Sequence, residues 1–565
     1  MATAPRNRPW RLATALALVW LLALALALVG LGALPLRDWD EGIVARVALE
    51  ISQAPWSHKL LPTYWGEAYR NKPPGIHLLI AAVIGLWRTC TTAAAGALPP
   101  EWVIRLAPAL LSSLLAPLLA LVQLRLRPGE RGAALATAAL ALTLMPLARH
   151  GRLAMLDGAQ LVAQASLWWA LLSLPSGTGP RSAAADLPLG LGAGLATSAL
   201  LLLKAPAAAP ILLGALALRA LDGEISASRW RRLLLPLALG LLPGLGWHLF
   251  HGAVRGPEEA LAMWTSQGVA RLGSSVEGHG GGPGPPLLEV LKGGGPWLAL
   301  WPFGVAMAWR QRRQRGGRWA LGLTLVGAAM VLPLRTQLPW YSLLLWPPFC
   351  LICAPVLVEL VARSRPRLVP RFWIGLGLLL LLAWGLIGIA RSGLVSQPWA
   401  TALAAALPPA ALPLPPTLGL GLVGGGLLLL TGQRSWRLAG AGLTVGSVWL
   451  TLLLLMAGPL WLWELNESWP VRPVAALVRR QPLPAGEEVR IWRGPERPSL
   501  SWYLQRPVRP LQDRKELASL GPGVVLLAPQ PPSPPGWRCR PLGMAAGLEL
   551  VQCSRERETL PKAPQ

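Results

Sequence analysis

The 565-residue chain is 53% hydrophobic and only 14% charged, with a mean hydropathy of +0.46. A single soluble globule is excluded, because one core cannot hide that much apolar surface. The chain carries 52 Lys and Arg against 26 Asp and Glu, a net charge of +26. These cations lie in short loops between apolar runs, as charge retained on the cytoplasmic side of a membrane does, and this argues against a nucleic-acid partner.

The opening "MATAPRNRPWR" is basic and runs into apolar residues from Leu12 to Leu34 without a small-residue cleavage site. It reads as a retained first span with the N-terminus inside. Next comes "RDWDEGIVARVALE", where Asp38, Asp40 and Glu41 crowd together in an acid-poor chain. The segment from Pro73 to about Thr92 holds His77 and Arg88 and is barely long enough to cross. It is expected to lie along the outer surface as an interfacial helix. A second span follows at 102–124, ending at the basic loop of Arg125, Arg127 and Arg131.

Further basic loops lie at Arg229–Arg232, Arg310–Arg318, Arg363–Arg371 and Arg434–Arg437, and an even number of crossings must separate each pair. This gives spans at 132–148, 158–174, 187–203, 205–221, 233–250, 296–309, 319–334, 339–361, 372–390, 413–431 and 438–463. The total is about 13, most of them near the roughly 20 residues that a spanning helix needs. The expected domains are a transmembrane part, 1–465, and an outer α/β domain, 466–565. The transmembrane part carries outer loops at 35–101 and 251–295. The Gly and Pro of "EGHGGGPGPP" predict a mobile connection in the second loop. In the tail, "EVRIW", "GVVLLA" and "LELVQC" read as strands and "RPVAALVRR" as a helix.

Five cysteines give little framework. Cys350 and Cys353 fall in a span as packing residues, their C-x-x-C spacing leaving a metal or redox site as the alternative. Cys539 and Cys553 are able to pair if the tail is extracytoplasmic.

On this topology the unusual polar residues reach the outer face: Asp38, Asp40 and Glu41; Lys72; Arg149, Arg152 and Asp157; Lys204; Arg271 and His279; Arg335 and Tyr341. Singly, each is explained by solvation or by anchoring at the interface. Together, carboxylates beside cations suit the transfer of a sugar from a lipid phosphate. A carboxylate takes the acceptor hydroxyl's proton, and Lys and Arg hold the departing phosphate.

At these residues the chain resembles the membrane-embedded glycosyltransferases of the GT-C fold that use lipid-phosphate sugars. The bacterial lipid A aminoarabinose transferases and the protein O-mannosyltransferases are the nearest groups. The resemblance rests on "DWDEGIVARVALEI", "NKPPGIHLL", "RLAMLDG", "LLLKAPAAAPILL", "QGVARLGSSVEGH" and "QLPWYSLLLWPP", in the family's order across residues 12–350. The tail's "ERPSLSWYLQRPVRP" is similar to the outer domain of many such enzymes. The resemblance implies Asp40 as principal catalytic acid with Glu41 beside it, Asp157 as second acid, Lys72 on the donor phosphate and Arg271 or His279 assisting. It implies an inverting single displacement from a polyprenyl-phosphate sugar, without a metal or other cofactor, to an envelope lipid, glycan or protein. The expected location is a bacterial inner membrane, with the C-terminal domain periplasmic. Where relatives often have Lys before Leu-Pro-x-Tyr, this chain has Gln337, and Arg335 is the candidate to supply the charge. Two other readings stay open: a ligase that moves a whole glycan from a lipid pyrophosphate, and a transporter or lipid flippase. Transporters hold ionisable groups near the midplane and show paired repeats, whereas here the charges fall at the ends of apolar runs.

Overall fold

A computed structural model describes residues 9–91, 97–175, 180–274, 283–394, 397–463, 469–482, 489–520, 524–530 and 536–555. By its contacts the chain divides into two compact units: Met1–Leu31, Arg70–Leu79 and Arg105–Trp461 in one, Gly32–Tyr69, Ile80–Ile104 and Leu462–Gln565 in the other. The first outer loop therefore clusters with the C-terminal domain except at Arg70–Leu79, which belongs to the first unit.

The first unit is helical. Among the described residues seven helices are long and apolar enough to cross a membrane, or eight if a bent pair counts as one span. That pair, Arg131–Thr143 and Met145–Arg152, bends by 61°. The bend falls at Leu144, whose backbone is extended, and Pro146 follows at the start of the second helix, where its missing N–H costs no ladder bond.

The segment Pro180–Leu221 is continuous helix apart from Lys204, whose φ of −149° and ψ of 79° are not helical. A straight helix would set Asp186 and Arg219 about 50 Å apart. Instead, Arg219 donates to the Leu171 and Leu174 carbonyls at 3.1 Å each, while Arg229 donates to Asp186 at 2.8 Å and to the carbonyl of Pro175, the next residue. The segment must therefore fold back at Lys204. Small residues let the hairpin pack tightly on helix Ala227–Arg255: a Cβ on Gly194 would lie 2.7 Å from the Gly240 Cα, a close approach of the kind membrane helices favour.

The long outer loop departs from expectation. Helix Ala227–Arg255 runs past residue 251, and helices Pro257–Gln267, Val269–Gly273 and Gly284–Gly293 follow. Gly256, at φ 102°, ends one helix and Pro257 starts the next at a position that suits it. Most of the Gly-rich run, with His279, lies outside the described residues. Helix Gly75–Cys90 has 16 residues, about 24 Å of rise, less than the roughly 30 Å hydrocarbon core.

In the second unit, helix Asp40–Gln53 is followed by a hairpin of β1 (Thr63–Tyr64) and β2 (Glu67–Ala68). The sequence did not predict this hairpin. Trp65 and Gly66 turn it at φ 55° and 80°, both left-handed as a two-residue hairpin turn requires. Glu50 holds the turn by accepting from Thr63 Oγ1 at 2.5 Å and Trp65 N at 2.8 Å. The C-terminal domain is the expected small α/β fold. Its strands are β3 (Val489–Trp492), β4 (Arg509–Leu511), β5 (Val524–Ala528), β6 (Trp537–Ala545) and β7 (Leu548–Arg555), in the order β4-β3-β5-β7-β6. The first three run parallel and β5, β7 and β6 antiparallel. β5, buried at every position, is the continuous apolar run "VVLLA" that a central strand needs. Cys539 and Cys553 face each other across β6 and β7 and are joined by a disulfide.

Candidate functional site

In the first outer loop the three crowded carboxylates have different partners. Asp38 is buried, pairs with Arg497 at 2.7 Å and accepts from Ser499 Oγ at 2.6 Å and Ser499 N at 3.3 Å. It thus satisfies an amide that the start of helix Pro498–Leu504 leaves without an intrahelical partner. Glu41 is fully buried and accepts from the Arg37 amide at 2.7 Å. Asp40 keeps solvent access: its side chain is 31% exposed, with Arg37 Nη2 at 3.7 Å.

The backbone makes this separation. Trp39, between Asp38 and Asp40, has φ 70° and ψ −90°, a left-handed conformation that costs a bulky residue of order 1–3 kcal/mol. One acid is thereby turned to the C-terminal domain and the next opens helix Asp40–Gln53. Gly42, one turn in, sits so close to that domain that a Cβ would meet Ser499 N at 2.5 Å. Further along the loop, burial pushes the Tyr69 hydroxyl's pKa up, and the charge of Asp40 adds to the rise. Breaking a buried ion pair from one side costs about 3–5 kcal/mol. Asp38→Ala is therefore expected to lower the melting temperature and expose the C-terminal domain to protease. A variant that melts like the native protein would show that the Asp38–Arg497 pair carries no stability.

In the first unit, Asp157 opens helix Asp157–Ser173, where the helix dipole favours a negative charge. Lys204, at the hairpin apex, places Nζ 3.2 Å from Asp157 Oδ1 and 4.8 Å from the centre of the Tyr341 ring. The Tyr341 hydroxyl is bonded by Arg271. The Arg271 carbonyl accepts from the amides of Arg335 at 2.9 Å and Thr336 at 3.3 Å. Lys72 bonds the Gln267 side chain. Gly75, after the Lys-Pro-Pro turn, packs where a Cβ would meet the Leu202 carbonyl at 2.6 Å. Residues far apart in sequence thus gather around the hairpin apex. The Arg271 side chain is buried, and its Nε has no hydrogen-bond partner among the described residues. A buried guanidinium N–H without an acceptor is costly and suits a site that an anion would complete.

Other expected positions fall elsewhere. Arg149 and Arg152 are fully buried. Arg149 donates to the Trp461 carbonyl at 2.8 Å, and Arg152 to the Met456 carbonyl at 3.3 Å and to that of Val29. Arg152 also stacks on Trp461, 4.3 Å from its ring centre. The reason lies in helix ends, whose last carbonyls lack intrahelical donors and attract cations; a guanidinium carries five N–H groups in a fixed fork. Gln337 acts likewise, donating to the Val331 and Leu334 carbonyls at 3.1 and 2.6 Å, while Arg335 is exposed. Cys350 and Cys353 are buried free thiols within helix Trp346–Arg363. Among the described residues no group of three or more His, Cys, Asp or Glu is placed to hold a metal ion.

Sequence reasoning missed Gln267, Tyr69, the strain at Trp39 and the partners of Asp38. The last of these lie in "ERPSLSWYLQ", a stretch already singled out in the tail.

The long apolar helices, the helical hairpin with a lysine at its apex and the small C-terminal sheet domain define a polytopic membrane protein of the GT-C fold. The crystal structure of ArnT from Cupriavidus metallidurans in the apo state is similar to it, with a TM-score of 0.68 at 18% identity over 96% of this chain and 98% of that one. ArnT from the same organism bound to undecaprenyl phosphate is similar with a TM-score of 0.66, again at 18% identity, over 99% of this chain and 100% of that one. No protein-family model and no curated protein sequence matches the chain. The likeness is therefore one of fold, and it is the fold that the ordered motifs implied.

Proposed function

We propose that the chain is an inverting glycosyltransferase that moves a sugar from a polyprenyl-phosphate donor to an envelope lipid, glycan or protein. The observation that carries this reading is the buried Arg271 guanidinium, with Nε unpartnered among the described residues and Tyr341 and Lys204 beside it. Such a cluster suits a lipid phosphate, and the similar ArnT fold has been crystallised with undecaprenyl phosphate. Arg271, Lys204 and Lys72 take up the charge of the departing phosphate in charge-assisted hydrogen bonds, and Asp157 keeps Lys204 in place. Asp40 accepts the proton of the acceptor hydroxyl. That oxygen bonds to the anomeric carbon as the bond from this carbon to the phosphate oxygen breaks, and configuration inverts. Glu41 holds the turn before Asp40 and does not touch the sugar.

The test is an assay of the purified chain with two donor classes. Transfer from a polyprenyl-phosphate monosaccharide supports the reading; transfer only from an oligosaccharyl lipid pyrophosphate replaces it with the ligase reading. Lys72→Ala is expected to raise the apparent donor KM with little change in stability, and an unchanged KM removes Lys72 from donor binding.

The enzyme is proposed to lie in a bacterial inner membrane with a cytoplasmic N-terminus and a periplasmic C-terminal domain, crossing about 13 times. The Cys539–Cys553 disulfide supports an oxidising compartment for the tail. A reporter fused after Gly96 should read as extracytoplasmic, and a cytoplasmic signal there would overturn this orientation.

A further inference from the structure

At the end of the helical unit that carries Arg229–Arg232, a cavity of about 470 Å³ opens between the two arms of the hairpin and helix Ala227–Arg255. Its size is within the roughly 300–1,000 Å³ of ligand pockets. The floor is made by Gly190 and Ala193, too small to fill the space, and the walls by Leu213 and Ala217 on one side and Trp230 and Leu234 on the other. Leu213, Ala217 and Leu234 are exposed, so the cavity opens sideways, where a membrane protein of this fold meets lipid. No charged residue lines it.

The helix that walls it is basic at this end. Arg231 and Arg232 follow the wall residue Trp230 directly and are exposed. The carboxylates around them are already engaged: Asp186 binds Arg229 at 2.5 Å and reaches Arg232 only at 3.7 Å, Asp222 is held by Arg219, Arg315 and Arg318, and Glu224 by Arg219 and Arg315. The excess charge at the mouth is therefore positive.

We propose that this groove binds one anionic phospholipid, with an acyl chain in the apolar cavity and the phosphate at Arg231 and Arg232. The combination selects that occupant. A soluble anion has no use for the greasy floor, and a zwitterionic lipid gains less from guanidiniums that outnumber the carboxylates beside them. Trp230 suits the rim because indole prefers the depth of the headgroups. The site is distinct from the cluster around Lys204, at the opposite end of the same hairpin, and does not depend on the catalytic reading.

The full chain is reconstituted with equimolar phosphatidylglycerol and phosphatidylcholine, extracted into mild detergent, and its bound lipids are counted by native mass spectrometry. The native chain is expected to keep phosphatidylglycerol in preference to phosphatidylcholine. Ala217→Trp, which fills the cavity from its exposed side, is expected to abolish that preference. In the double variant Arg231→Gln, Arg232→Gln the preference should fall by more than about ten-fold, since each basic side chain at an anionic lipid surface contributes roughly a five-fold factor. Equal retention of the two lipids by the native chain, or an undiminished preference in both variants, overturns the proposal.

Discussion

Asp40→Asn is expected to abolish sugar transfer while leaving the melting temperature and membrane insertion of the protein unchanged. The substitution keeps the size of the side chain and removes its basicity. A positioned general base contributes about 10²–10⁴-fold, and a loss of that order in kcat with unaltered donor affinity is the result to look for. The three neighbouring acids supply their own control. Asp38 is committed to Arg497 and Ser499 and Glu41 to the Arg37 amide, so their loss should first lower stability. Asp40, 31% exposed, is the least buried of the three. Full turnover by Asp40→Asn would remove this residue from the chemistry and leave Asp157, the second acid that the resemblance implies, as the carboxylate to test next.

The second large effect is expected at Arg271. Removing one preorganised donor aimed at developing charge costs about 10²–10³-fold in kcat, and Arg271→Ala removes the guanidinium whose Nε has no partner among the described residues. Arg271→Lys keeps the charge but not the planar fork, so it should recover only part of the loss. Tyr341→Phe removes the hydroxyl that Arg271 bonds and keeps the ring beside Lys204. It separates positioning from contact: a fall much smaller than that of Arg271→Ala assigns the direct role to the arginine. If Arg271→Ala turns over at the native rate, the phosphate is held elsewhere and the reading of the cluster fails.

Much of the fold was legible because apolar runs and basic loops act over short stretches of sequence. The reversal at Lys204 is an example: "LLLKAPAAAP" puts a lysine and two prolines into an apolar run, and the chain breaks its helix at that lysine. Asp157, Lys204, Arg271 and Tyr341 share an expected place on the outer face, and the structure gathers them. What could not be read was how each polar group is used. The partner of Asp38 lies 461 residues away at Ser499, and nothing local distinguishes that acid from Asp40. Arg149 and Arg152 looked like phosphate ligands because the sequence records cations but not the main-chain carbonyls that occupy them. The glycines and prolines after residue 251 read as an irregular loop, yet a proline that opens a helix and one that breaks it are the same letter.

The hydroxyl of Tyr503, at the end of helix Pro498–Leu504, accepts from the Leu36 amide at 2.8 Å and donates to Glu101 at 2.9 Å, while Arg472 holds the same carboxylate at 2.7 Å. Together with the Asp38 contacts, these bonds fasten both ends of the first outer loop to the tail. Chimaeras that exchange the C-terminal domain with that of a relative should therefore be inactive unless residues 32–69 and 80–104 travel with it, and evolutionary drift in either segment is constrained by the other.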